Sequence, residues 1–313
     1  MFFSIFAFMR KLKGKLILCL VILLSSQAQA QQVEVGLMLG ASNYLGDLSN
    51  ETFVMKESHF SASIFGRYNF KPKFSMKGFI GYGRVSGDDK NFESVTRSYN
   101  GVEDFKFNYY RNLNFYSDIY EASMHFEYNI LPVDLNSYQA RPFVPYVFGG
   151  IGIFHFNPKT TFDGKTMELQ PLGTEGQGST AYNDQKKYSL TRLCIPVGFG
   201  FRQKIGDDFF LGFEAGLRLT TTNYLDDVGG VYADHSIVYG ASGRTAVLLS
   251  DRSWERDPVN NPSGNPLNEN FNENFSEGSK KSDRSLNKTD MYFMAGITLS
   301  YTIRFRGQGC PTF

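Results

Sequence analysis

The amino-acid sequence predicts an all-β fold, a transmembrane antiparallel β-barrel of about eight strands with long extracellular loops and short periplasmic turns. Three features predict it: an export signal at the start, a period-two alternation of apolar and polar residues that recurs along the chain, and connections that are alternately long and short.

Residues 1–30 read as a secretory signal peptide. Arg10, Lys11, Lys13 and Lys15 form a basic region, residues 16–24 (LILCLVILL) an apolar one, and Ala28-Gln29-Ala30 a small-residue cleavage site. The apolar run is about half of the roughly 20 residues that a membrane-spanning helix needs. Met9 begins a signal of conventional order, with the basic residues ahead of the apolar run. Leu18, immediately before Cys19, is too bulky for lipoprotein processing.

Residues 31–313 form one barrel domain. The net charge of +1 gives no steering towards nucleic acid. Aromatic residues at 16%, together with 31 glycines and a single tryptophan, suit β-structure with aromatic girdles. Once Cys19 leaves with the signal, Cys194 and Cys310 remain, too few for a disulfide scaffold.

The strands are expected at 33–41, 60–70, 75–85, 116–130, 143–156, 193–203, 209–220 and 293–303. The alternation is clearest in the fourth. Tyr120, Ala122, Met124, Phe126 and Tyr128 share one face, and Glu121, Ser123, His125, Glu127 and Asn129 the other. Long polar segments (42–59, 86–114, 157–187 and 223–289) alternate with shorter ones (71–74, 131–142 and 205–208), which places the short turns at one rim and the long loops at the other. Asn, Pro and Ser enrichment within 223–289 suggests a long extracellular loop, partly disordered and mobile. The polar set, comprising Arg67, Lys77, Arg84, Glu121, His125, Glu127, Arg202, Glu214 and Arg218, is too charged for a dry core and suggests a hydrated lumen of paired ions.

No catalytic, metal or cofactor constellation is expected. Residues 40–47 lack the Gly-Lys-Ser/Thr ending of a phosphate loop, so turn chemistry accounts for Gly46-Asp47. Asp226, Asp227 and Asp234 match no calcium-loop spacing and are expected to cap a helix or hydrogen-bond a loop. Ser123 and His125 fall on the polar face, as members of a lumenal hydrogen-bond ladder. His59, His155 and His235 are too scattered for a metal site.

Three stretches carry a resemblance: 35–48 (VGLMLGASNYLGDL), 219–233 (LTTTNYLDDVGGVYA) and 290–313 (DMYFMAGITLSYTIRFRGQGCPTF). Across the mature chain the sequence resembles a family of Bacteroidota outer-membrane barrels that includes PorG, a component of the type IX secretion system. Gly36, Gly40, Asn43, Tyr44, Gly46 and Asp47 fit its first strand and loop; Tyr224, Asp226 and Asp227 fit a Tyr-Leu-Asp-Asp segment; Cys310 and Pro311 fit its terminal signature. The fourth long loop exceeds the family pattern.

The resemblance implies a non-enzymatic barrel in the cell outer membrane, in contact with its lipid. It would serve protein transport as a structural component of an envelope machine, with the periplasmic ring components of type IX secretion as partners. The alternative is a surface barrel whose long loops bind an external partner. A lipid-modifying enzyme is the third reading and lacks its constellation. Cys194, deep on the lumenal face, and Cys310, in the tail, are expected to lie too far apart for a disulfide.

Overall fold

A computed structural model describes residues 32–50, 53–133, 143–182, 186–256, 273–282 and 289–304. The signal peptide and Cys310 lie outside the described residues, as does most of 131–142.

Eight long strands form the wall: β1 (Gln32–Leu45), β2 (His59–Lys71), β3 (Phe74–Asp88), β6 (Asn114–Asn129), β7 (Phe143–His155), β10 (Thr191–Ile205), β11 (Phe209–Thr220) and β12 (Met291–Arg304). Two hairpins, β4 (Arg97–Tyr99) with β5 (Val102–Phe105) and β8 (Lys159–Phe162) with β9 (Lys165–Glu168), belong to the loops. Each wall strand pairs antiparallel with its neighbour in chain order, and β1 closes on β12 from Gln32↔Arg304 to Leu45↔Met291. Closure leaves no unpaired wall edge, the condition for strands to cross a bilayer. The protein is therefore a transmembrane antiparallel β-barrel.

Alternation divides the wall as the sequence predicts. Ile64, Ile80, Met124, Ile151, Phe199 and Ile297 face outwards, and Ile151 is 73% exposed. Their inward neighbours are buried. The apolar belt is bounded below by aromatic contacts such as Phe74–Phe126 at 5.7 Å and Phe209–Tyr301 at 5.2 Å, and above by Tyr82–Tyr120 at 5.4 Å. These are the two girdles of a membrane barrel.

Two expectations are corrected. Arg84 is not lumenal: it faces outwards just above Tyr82, where its Nε donates to Asp118 Oδ1 at 2.8 Å. At the girdle an outward arginine paired with Asp118 can reach the headgroup region while its stem lies along the wall. The pairing of β3 with β6 continues to Asp88↔Asn114, three residues past the expected end at Val85, because Phe115 and Leu48 cover it in a cluster of loop residues.

The Asn/Pro/Ser-rich residues 260–266, on which the expectation of a mobile loop rests, lie outside the described residues; the described parts of 223–289 carry two helices. Helices α2 (His235–Ser242) and α3 (Arg244–Ser250) bury Val238, Ala246, Val247 and Leu249. Helix α1 (Phe107–Arg111), in the second long loop, joins Tyr99, Phe105, Tyr232 and Phe275 in another apolar cluster. The four long loops thus meet in one cap over the outer mouth. Asp234 caps α2 by accepting from the Ser236 and Ile237 amides, one of the roles expected of it.

Candidate functional site

The lumen carries the paired ions that the sequence predicts, and side chains fill it. Glu34, Glu121, Glu127 and Glu214 face Arg67, Lys77, Arg202 and Arg218, four acids against four bases, each 2% exposed or less. Arg67 bridges Glu34 (Nη1 to Oε2, 2.7 Å) and Glu127 (Nε to Oε2, 2.7 Å). Lys77 binds Glu214 and reaches Glu127 at 3.5 Å, Arg202 pairs with Glu34 at 3.2 Å, and Arg218 with Glu121 at 3.1 Å. Tyr146 and Tyr292 donate to the same oxygens that Lys77 and Arg218 engage, Glu214 Oε2 and Glu121 Oε2, and Asn69 shares Glu34 Oε1 with Arg202. Such neutral partners let buried ions persist, since each pair alone recovers little more than its desolvation cost.

Aromatic rings occupy the space between the ions. Lys77 Nζ lies 5.1 Å from the Phe148 ring centroid and Arg218 Cζ 5.4 Å from that of Phe79. Small inward residues make room for them: a Cβ on Gly36 would come within 2.5 Å of Phe65 Cζ, and one on Gly216 within 2.7 Å of Phe148 Cζ. The predicted ion pairing is present, but between buried, packed groups.

Ser123 and His125 lie where the sequence places them. Ser123 Oγ donates to Glu121 Oε1 at 2.6 Å and sits 2.9 Å from His125 Nε2, with the imidazole stacked between Phe79 and Phe148. In a catalytic triad the histidine stands between carboxylate and hydroxyl. Here the hydroxyl stands in the middle and all three groups are buried, so this is a structural ladder. Cys194 is likewise buried, 3.9 Å from Tyr292 Oη.

The motif residues converge where the barrel meets the cap. Tyr44 Oη donates to Asp226 Oδ2 at 2.6 Å, and Asp47, Asp226 and Asp290 bring carboxylate oxygens within 4.8 Å of one another. That trio has the oxygen spacing a hard cation would need. A bound proton also relieves it: burial, then Asp290 and Asp47, push the Asp226 carboxyl well above the usual range. Asp227 accepts from Thr174 Oγ1 and Tyr188 Oη, both at 2.6 Å, and Tyr224 stacks on Tyr188 at 4.9 Å. Gly46 opens the turn expected of Gly46-Asp47, its carbonyl accepting from the Ser49 amide at 3.1 Å, and close approach requires that the residue be glycine. Its backbone is extended at φ −167°, and a Cβ there would lie 1.9 Å from Tyr44 Oη.

Asn43 stands apart from this junction, on the outer wall, with Nδ2 donating to the Val54 carbonyl at 2.8 Å. The sequence reading missed Asp290, Glu175, Lys281 and the buried pair of Arg111 with Asp89 (Nη2 to Oδ1, 2.6 Å). Only Asp290, a charge directly preceding an apolar strand, carried a local signal.

Glu175 makes the cap sensitive to pH. Burial pushes its carboxyl up to about 7 against the opposing effect of Lys281, whose Nζ is 4.0 Å away. A carboxyl with a raised folded pKa stabilises the fold fully below its unfolded value, 4.5, and that contribution is lost as pH rises through about 7. Cap amides should therefore lose hydrogen-exchange protection between pH 5 and 8, corrected for intrinsic rates. Glu175→Gln should flatten that dependence by up to ~3 kcal/mol. An unchanged slope in the variant would assign it to other groups.

A closed wall, a lipid-facing belt and a packed lumen define a small transmembrane β-barrel. Residues 13–238 match the model of the family described as a domain of unknown function, DUF6089, and the chain belongs to that family. No curated protein matches its sequence. Among solved structures it is similar to Ail, the attachment invasion locus protein of Yersinia pestis, at 7% identity and TM-score 0.36 over 88% of this chain and 100% of that one. It is also similar to Neisserial surface protein A at 8% identity and TM-score 0.34 (90% and 100%), and to the N-terminal β-barrel domain of Pseudomonas aeruginosa OprF at 9% and 0.31 (88% and 100%).

Proposed function

We propose that this protein is a non-enzymatic barrel of the bacterial outer membrane that acts by contact, as a structural component of an envelope machine. The observation that carries this reading is the packed lumen. A barrel of eight strands whose interior is filled by paired ions and rings offers no path for bulk transport. Of the two ladders of serine, histidine and glutamate among the described residues, Glu121-Ser123-His125 is sealed inside the wall, and Glu57-Ser86-His59 at the outer rim again puts the hydroxyl, not the imidazole, between the other two groups.

The resemblance to barrels of the PorG type directs the proposal to type IX secretion, with periplasmic ring proteins as partners met through the turns and carboxy-terminal tail. Family motif residues such as Tyr44, Asp47 and Asp226 serve here to fix the cap to the barrel. A second reading, a surface barrel that binds an external partner, is favoured by the folded cap. Affinity purification from solubilised outer membranes with mass spectrometry separates the two. Recovery of periplasmic ring proteins supports the first, and recovery of surface ligands without ring proteins overturns it.

A further inference from the structure

We propose that the first extracellular loop is a membrane-anchoring element whose partner is the lipid of the outer leaflet, an inference that rests on the wall being lipid-facing. The loop does not rise into the cap along its whole length. Residues 53–58 fold back over the outside of the barrel. There Phe53 packs edge-on against Phe293 of the outer wall, with ring centroids 6.1 Å apart. Asn43, on the outward face of β1, is 1% exposed because this segment lies over it, and Asn43 Nδ2 binds the Val54 carbonyl at 2.8 Å and Ser58 Oγ at 3.0 Å. Glu57 fastens the other end by accepting from Ser86 Oγ and from Asn91 Nδ2.

A segment held this firmly nevertheless points its apolar side chains away from the protein. Phe53 is 50% and Met55 76% exposed, and Phe60, two residues into β2, is 60% exposed. Phe293 lies on the lipid-facing side of β12 and Phe60 on that of β2, so the loop's apolar surface is continuous with the membrane belt. Continuity with that belt identifies the occupant as lipid. Lys56, exposed between Met55 and Glu57, has the reach to set its ammonium among headgroups.

The test is depth-dependent fluorescence quenching of the full chain refolded into phosphatidylcholine vesicles with bromines high on the acyl chains. Met55→Trp and Phe53→Trp are the probes, Ile151→Trp is the wall control, and the wild type with its one native tryptophan, Trp254, supplies the baseline. The loop tryptophans should lose about half of their added emission to the brominated lipid, as expected for side chains buried at the headgroup–acyl boundary. Quenching should not change as the protein is diluted in lipid. If Ile151→Trp is quenched and the loop probes are not, the anchoring inference fails and the membrane barrel stands. If Ile151→Trp is not quenched either, the barrel reading itself fails. Protection of the loop probes that disappears on dilution would identify a second copy of the chain as the occupant, which overturns the proposal.

Discussion

Replacing Arg67 by Met is expected to cost about 3–5 kcal/mol of barrel stability, because it leaves two buried carboxylates, Glu34 and Glu127, without their shared guanidinium. Exposed ion pairs would lose no more than about 1 kcal/mol, so the size of the loss separates a packed lumen from a hydrated one. The double variant Arg67→Met with Glu127→Gln keeps the lumen neutral. Lys77 then retains Glu214 and Arg202 retains Glu34, and most of the stability should return. Urea titration of the refolded barrel, followed by its heat-modifiable mobility on gels, measures both. A single variant as stable as the wild type would show that water already solvates these groups.

The second large effect lies on the other side of the wall. Ile151 is the most exposed of the wall's outward isoleucines, at 73%, and pairs with Met124 midway between the girdles. Ile151→Arg places a charge in the hydrocarbon and should cost about 2–4 kcal/mol in vesicles. The same change in detergent-free water would improve solubility, so a destabilisation in lipid is diagnostic of the belt. Phe126→Arg should be milder, since Phe126 packs with Phe70 and Phe74 in the lower girdle, close to the interface. A neutral Ile151→Arg would remove lipid from that face.

The wall was legible because its information is local. A strand exposes alternate residues to opposite faces, so Glu121, His125 and Glu127 declare their side from sequence spacing alone. Pairing order followed from loop lengths. The cap was not legible for the opposite reason: Tyr44 meets Asp226 across 182 positions and Asn112 meets Glu255 across 143. No period marks such contacts.

Within the site, the motif positions Tyr44, Asp47 and Asp226 were found while their partner Asp290 was not. Charge in the lumen was read correctly, whereas the ring packing around Lys77 and Arg218 that helps to fill it cannot be read from composition. Arg84 was drawn inwards by its charge, although its parity with Tyr82 and Ile80 puts it outside.

The packed lumen is tested most directly by single-channel recording of the wild-type barrel in planar lipid bilayers. The balanced ions and interleaved rings should give a silent membrane, with no resolved current steps. Stepwise, ohmic currents carried by the wild type in its folded, heat-modifiable form would mean that water and ions cross the interior, and would contradict a closed barrel that works by contact.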